Sequence, residues 1–445
     1  MNNEEKFKEI KDWYLSNFKN FENKLNGQTE NFFHEFRKEA LEKFREMSFP
    51  TLKDEEWKYT NVAPILKHNF SPAVTENKIE RNLIDIEDHF FKDFEHHRLV
   101  FVNGIFNEEH SSLHEEAEGI IISNLAAAVK EYPELVKKYS DKPINSETTF
   151  SAMNSAYSTD GIFIFIPENK VLEKPVQVLF VNGSKDEKIL SSPKNIFIAE
   201  NNSQGKVVVT YSGIPNSIYF TNVVNKVFTG ENAILDIYKI QNENEESFHI
   251  DKTDARQKRT SVFTHFNASL GSSLMRNDIN AVLDDEYALT NYFGLYLANE
   301  NQHMDNHTYV DHASPNCESH ELYKGILDDK ARGVFNGKIM VRQDAQKTNA
   351  YQSNKAMLLS KEARIDTKPQ LEIFADDVKC SHGATVGRLD EEAYFYIRSR
   401  GIPNELAKSM LIHAFVSDVI EKIKIEPLRE QINHLIFEHL KRIEI

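Results

Sequence analysis

Apolar residues recur at steps of three and four near the start of the chain, where Phe7, Ile10, Tyr14, Phe18, Phe21 and Leu25 place an aromatic stripe on one helix. A second stripe, Phe33, Phe36, Ala40, Phe44 and Met47, predicts another helix that stops before Pro50, because a proline ring disfavours helical geometry in the residue ahead of it. Both stripes read as faces packed on the rest of the chain, with a partner groove as the other option. Between residues 51 and 150 the pattern is mixed, with RLVFVNGIF (98–106) a strand candidate among polar and helical stretches.

The texture then changes. From 161 to 387 come many short β-rich runs, among them IFIFI, VQVLF, NIFIAE, KVVVTY, ILDIYKI and GKIMV, separated by Asn, Gly, Ser and Asp. No helical stripe interrupts them, which argues against a doubly wound sheet and leaves a sandwich, a barrel or a β-helix. So long a stretch of closely spaced strands without a strict sequence period suits a β-helix whose coils differ in length.

After Leu389 the helical period returns, in DEEAYFYIRSRG and again from Pro403, with Gly401 placed to end one helix and Pro403 to occupy the first turn of the next. In that helix Leu411, Phe415, Val419 and Ile423 form one stripe and Leu406, Met410 and Ala414 an adjacent one. A third helix carries Leu428, Ile432, Leu435, Ile436, Leu440 and Ile443. So much apolar surface on a short tail requires a cover, either the chain's own β core or another protein. The expected organisation is a helical and mixed region over 1–150, a mainly β, β-helical core over 151–388 and a helical domain over 389–445.

Composition narrows the function classes. Acidic residues outnumber basic ones 69 to 53, and the net charge of −16 repels a phosphate backbone, so nucleic acid is not an expected partner. The longest apolar runs are far shorter than a membrane span, and two cysteines, Cys317 and Cys380, exclude a disulfide framework or a four-cysteine site built from this chain alone. A reducing, cytoplasmic setting is the expectation.

Few motifs survive scrutiny as chemistry. GVFNGK (333–338) has three residues between its glycines and Ile339 after the lysine, so it lacks the spacing and hydroxyl of a phosphate loop, and no nucleotide is expected to bind there. His303, His307 and His312, with Asp305 and Asp311, suggest a metal cluster until strand alternation places His312 with Thr308 and Val310, and His307 with Tyr309 and Asp311, on opposite faces; hydrogen bonds between coils are the plainer reading. The pairs Asp328–Asp329 and Asp376–Asp377 suit turns better than acid–base catalysis, since neighbours in a strand diverge. Cys380 and His382 are different, because alternate strand positions put a sulfur and an imidazole on one face, where they either sit as a buried thiol and a hydrogen-bonded histidine or hold a soft metal. Two ligands do not close a tetrahedral site, so a firmly held metal would need further ligands from elsewhere.

The segment DTKPQLEIFADDVKCSHGATVG (366–387), with 310–360 before it and YIRSRGIPNELAKSMLIHAF (396–415) after it, resembles the SufB/SufD family of iron–sulfur cluster assembly scaffolds; weaker likeness covers DEEWKYTNV (54–62) and FVNGIF (101–106). The resemblance implies a right-handed parallel β-helix flanked by helical regions. It also implies a non-catalytic subunit that pairs with a SufB-type scaffold and a SufC ATPase, in which nucleotide is hydrolysed by the partner. Within the family the chain resembles the SufD branch: NAYQS places Ser353 where SufB carries a reactive cysteine, and Gly383 follows the histidine where SufB tends to have a carboxylate. Carried over, the resemblance makes His382, beside Cys380, a ligand for transient iron or a nascent cluster at the SufB boundary. It makes the C-terminal helices, with Leu406, Met410, Leu411 and Phe415, the dock for SufC. A homodimer of the isolated chain, a SufB-like primary scaffold and a β-helical carbohydrate-active enzyme remain as alternatives.

Overall fold

The computed structural model describes residues 3–25, 27–74, 84–140 and 147–440. Its centre is a parallel β-solenoid in which, from Lys194–Ala199 onward, successive strands alternate between two sheets, of eleven and ten strands among the described residues. In the first sheet Leu274, His303, Arg332 and Arg364 stack in register; in the second Val262, Leu289, Glu318, Asn349 and Lys379 do so. The steps between stacked residues are unequal, which is why the sequence has no strict period. Corner residues supply the tight turns: Asn169, Asn202, Asn232 and Thr260 all have positive φ, and their side chains form a ladder with Asn202 Nδ2 donating to Asn169 Oδ1 at 2.9 Å, Asn232 Nδ2 to Asn202 Oδ1 at 2.9 Å, and Thr260 Oγ1 to Asn232 Oδ1 at 2.5 Å.

Among the described residues eight α-helices lie around the solenoid. α1 (Asn3–Glu22), α2 (Phe32–Glu46) and α5 (Thr149–Tyr157) lie over the first sheet, where Tyr14, Phe18, Phe21, Phe44 and Tyr157 share a core with Phe220, Phe248 and Leu274 of the strands. The aromatic stripe of α1 is therefore core, each fully buried ring contributing about 1.5–3 kcal/mol. Met47 caps α2 instead of lying within it. α3 (Leu125–Glu131) and α4 (Pro133–Ser140) seal the beginning of the same sheet through Leu125, Val136 and Tyr139.

α6 (Glu391–Ser399), α7 (Asn404–Ile420) and α8 (Glu426–His439) follow the last strand. Gly401 has φ +87°, a left-handed conformation that suits it to end α6, and Pro403 is the N-cap of α7 instead of standing in its first turn. α7 and α8 bury Ile412, Val416, Val419, Leu428, Ile432 and Ile436 against Tyr238, Ile240, Phe266, Leu295 and Leu297 of the second sheet. The tail thus covers its own core, and Lys424 Nζ fastens it by bonding both Asp236 oxygens at 2.8 and 2.9 Å. Of the apolar positions on α7, Leu406, Met410, Leu411 and Phe415 stay half-buried. Ile443 lies outside the described residues.

Strands begin before residue 151. His97–Val102 pairs in parallel with Val176–Asn182, and Ile121–Asn124 pairs antiparallel with Ile162–Ile166, so the 98–106 candidate opens the second sheet. Among the described residues no helix is long and apolar enough to cross a membrane.

Candidate functional site

Each sheet ends in a ten-residue strand, Arg364–Ile373 in the first and Lys379–Arg388 in the second, with no further strand on its outer edge among the described residues. Most of Lys379–Arg388 is exposed, in contrast to the almost fully buried strands of the earlier coils. An open parallel edge leaves backbone N–H and C=O groups ready for another chain.

Cys380 and His382 both stand on this last strand, and register fixes their direction. Cys380 pairs with Ala350 and His382 with Gln352, and Ala350 and Gln352 are buried residues facing the solenoid interior. Paired residues of a sheet share a face, so both candidates look along the lumen at its open mouth. Cys380 is half-buried against Ile339, Val341 and Ala350, and burial pushes its thiol pKa up, against a weaker pull from the Ala350 backbone, so it is a thiol and not a thiolate at neutral pH. His382 is exposed at the rim. Among the described residues no three His, Cys, Asp or Glu side chains gather as a metal-holding group.

Beneath His382 lies a column of interior residues that sequence reasoning missed: His265, Tyr292, Glu321 and Gln352 occupy the same register position on successive strands. Glu321 Oε2 accepts from Thr308 Oγ1 at 2.6 Å and from Gln352 Nε2 at 3.2 Å. Burial pushes the Glu321 carboxyl up to about 7, against the pull of those two donors. Gly337 gives this arrangement room, since a Cβ there would come within 2.3 Å of Gln352 Nε2. Residues 333–338 therefore lie within the strand Arg332–Val341, with Gly337 on its lumen face, and not in a phosphate-binding loop. The detectable signal would have been the coil step combined with strand alternation, which puts position 352 under position 382.

The histidine cluster at 303–312 divides as alternation predicts. His312 points inward and pairs with Ser319 Oγ at 2.9 Å; burial takes its pKa down to about 3. His303, Asp305 and His307 lie on the outer face of the first sheet under the 54–60 strap: Thr60 Oγ1 lies 2.8 Å from His303 Nε2 and donates to Asp305 Oδ2 at 2.5 Å, and Asp305 Oδ1 lies 3.0 Å from His307 Nε2. Arg276 bonds Asp305 and Asp278 at 3.0 and 2.7 Å while its guanidinium stacks 3.8 Å from the Trp57 ring centroid. Burial and Arg276 lower the His307 pKa, yet the Asp305 and Glu56 carboxylates outweigh them and leave it raised. This is a latch between strap and solenoid. A cleft of about 770 Å³ opens beside it, but its cations are engaged, Arg276 as above, Lys252 by Asp254 at 3.4 Å and Lys338 by Glu372 at 2.7 Å. Asp329 and Asp377 serve turns, the first with positive φ and the second in an ion pair with Lys347.

Residues 180–415 match the family model described as "SUF system FeS cluster assembly, SufBD core domain", and residues 8–178 match "SufBD protein N-terminal region". The chain belongs to the SufBD family. Its relatives within the family include an iron–sulfur cluster assembly SufBD family protein of Synechocystis, 30% identical over 408 residues that cover 90% of this chain and 89% of the relative. The iron–sulfur cluster assembly proteins SufD of Escherichia coli and Bacillus subtilis are 29% and 28% identical, covering 88% and 91% of this chain and 89% and 93% of their own lengths. The SufBD chain described here is thus a component of SUF iron–sulfur cluster assembly, with a parallel β-solenoid at its centre.

Proposed function

We propose that the chain is a non-catalytic SufD-type scaffold that joins a SufB-type scaffold through the open end of its solenoid and offers His382 as a ligand to iron or a nascent cluster passing through that junction. The observation that carries this reading is the coincidence of two sheet edges left unpaired among the described residues with an exposed imidazole at the lumen mouth. Neutral imidazole suits iron, and partner thiolates would supply the ligands that this chain lacks. Cys380, a half-buried thiol, stands beside the ligand and does not lead it. Iron and cluster are the substrate here, held transiently, and no nucleotide binds this chain.

A SufC-type ATPase would dock on the C-terminal helices. α6 buries none of its residues, Phe395 is 74% exposed, and Leu406, Met410, Leu411 and Phe415 present a half-covered apolar face beside it. Nucleotide-driven pairing of two ATPase subunits would pull on α7 and loosen the scaffold junction. The same open edges could receive a second copy of this chain when the partner is absent.

The test is co-expression with the SufB-type scaffold and the SufC-type ATPase, followed by anaerobic iron and sulfide analysis. His382→Ala should leave the complex intact and lower its cluster content severalfold. Full cluster content in that variant removes His382 from the mechanism, and failure of the native chain to form any complex removes the scaffold reading.

A further inference from the structure

Gln352 is fully buried on the strand directly below His382, in the same register position and on the same face. Its amide nitrogen is committed to Glu321 Oε2 at 3.2 Å, whereas its carboxamide oxygen, also buried, makes no hydrogen bond. Glu321 is itself held from the opposite sheet by Thr308. A buried carbonyl oxygen without a donor is costly to keep, so a strand that holds one directly below the histidine's register position has an acceptor in reserve. A metal-binding histidine needs such an acceptor: when one ring N–H is bonded, the tautomer and ring direction are fixed and the other nitrogen is turned toward the metal.

We propose that Gln352 is the positioning residue of His382, accepting one ring N–H through its carboxamide oxygen, with Glu321 and Thr308 holding the carboxamide in place. The inference rests on His382 being the ligand, but it concerns a state of the imidazole that exists before any metal arrives. Gly337 is the space that permits it, since any side chain there would displace the Gln352 amide. Ser353, the next residue, faces away from the lumen and serves as a control.

The experiment is ¹⁵N NMR of the full-length chain labelled at histidine, with the His382 signal assigned by its loss in His382→Ala. The native chain should show one dominant tautomer of the neutral ring. Gln352→Leu should move the two nitrogen shifts toward the free-imidazole mixture, and Ser353→Ala should change nothing. If Gln352→Leu does not fold, Thr308→Val, which releases Glu321 without touching Gln352, should shift the pattern part-way. Unchanged His382 shifts in whichever of these variants folds overturn the proposal. In the assembled complex Gln352→Leu should also weaken iron binding about tenfold. Full iron content in His382→Ala would instead overturn the ligand reading while leaving the tautomer result standing, so the two failures are distinguishable.

Discussion

The two ends of the solenoid are built from the same kind of strand and finished in opposite ways. At the first end each sheet is closed by an antiparallel strand, Ile105–Phe106 on one and Ile121–Asn124 on the other, and helices seal the outside. Asp160 ties these closures together: its buried carboxylate accepts from Phe106 N at 3.1 Å, Ala126 N at 2.9 Å, Gly161 N at 2.9 Å and the Asn124 amide. At the other end nothing among the described residues pairs with the outer edges of the last two strands, and Val386, in an inward-facing register position, is 47% exposed. A chain able to close one end has the means to close both. Leaving ten-residue edges open in each sheet is an aggregation liability unless another protein occupies them. The first end is sealed by the chain itself, and the last is the end that the proposed SufB-type junction would use.

Removing the closure should have the largest effect. Asp160→Ala removes the acceptor of three backbone N–H groups, one buried and two half-buried, and should cost about 3 kcal/mol, read by denaturant unfolding. A loss no greater than that of an exposed substitution would abolish the distinction between the ends.

Glu321, buried between the two, should give a smaller and pH-dependent effect. Burial raises its pKa from the ordinary carboxylate range to about 7, so the native state binds this proton more tightly than the unfolded chain does. Its contribution is fully present below the unfolded value and is lost as pH rises through about 7, a difference of up to about 3 kcal/mol. Glu321→Gln should remove this part of the slope and be relatively more stable at pH 8 than at pH 5. Identical slopes for the two proteins in that window would show that the carboxyl is ionised throughout.

The smallest effect on stability should come from the open end. Val386→Asp should change unfolding free energy by no more than about 0.5 kcal/mol while weakening assembly with the SufB-type partner at least tenfold in sedimentation experiments. Undiminished assembly would move the junction away from the solenoid mouth.

Much of this architecture was legible in the residues. The stripe of Tyr14, Phe18 and Phe21 identified a packed helix, the Asn- and Gly-punctuated runs after Gly161 identified a β-helix, and alternation alone separated His312 from His307. The column under His382 was not legible, because pairing Gln352 with residue 382 requires a coil length, and the coils are unequal. The burial of Val419 and Ile423 was equally hidden: they share one stripe with Leu411 and Phe415, and which part of it meets the second sheet depends on how α7 lies across the strands.

Local periods and contiguous motifs were enough for the element types, a mainly β core, the family and the placing of Cys380 and His382 on one face. Tertiary structure alone decided which end stays open, that the face carrying His382 looks into the lumen, and that Glu321 and Gln352 stand below it. The physical reason is that register between coils is set by turn length and core packing, summed over residues far apart in the chain.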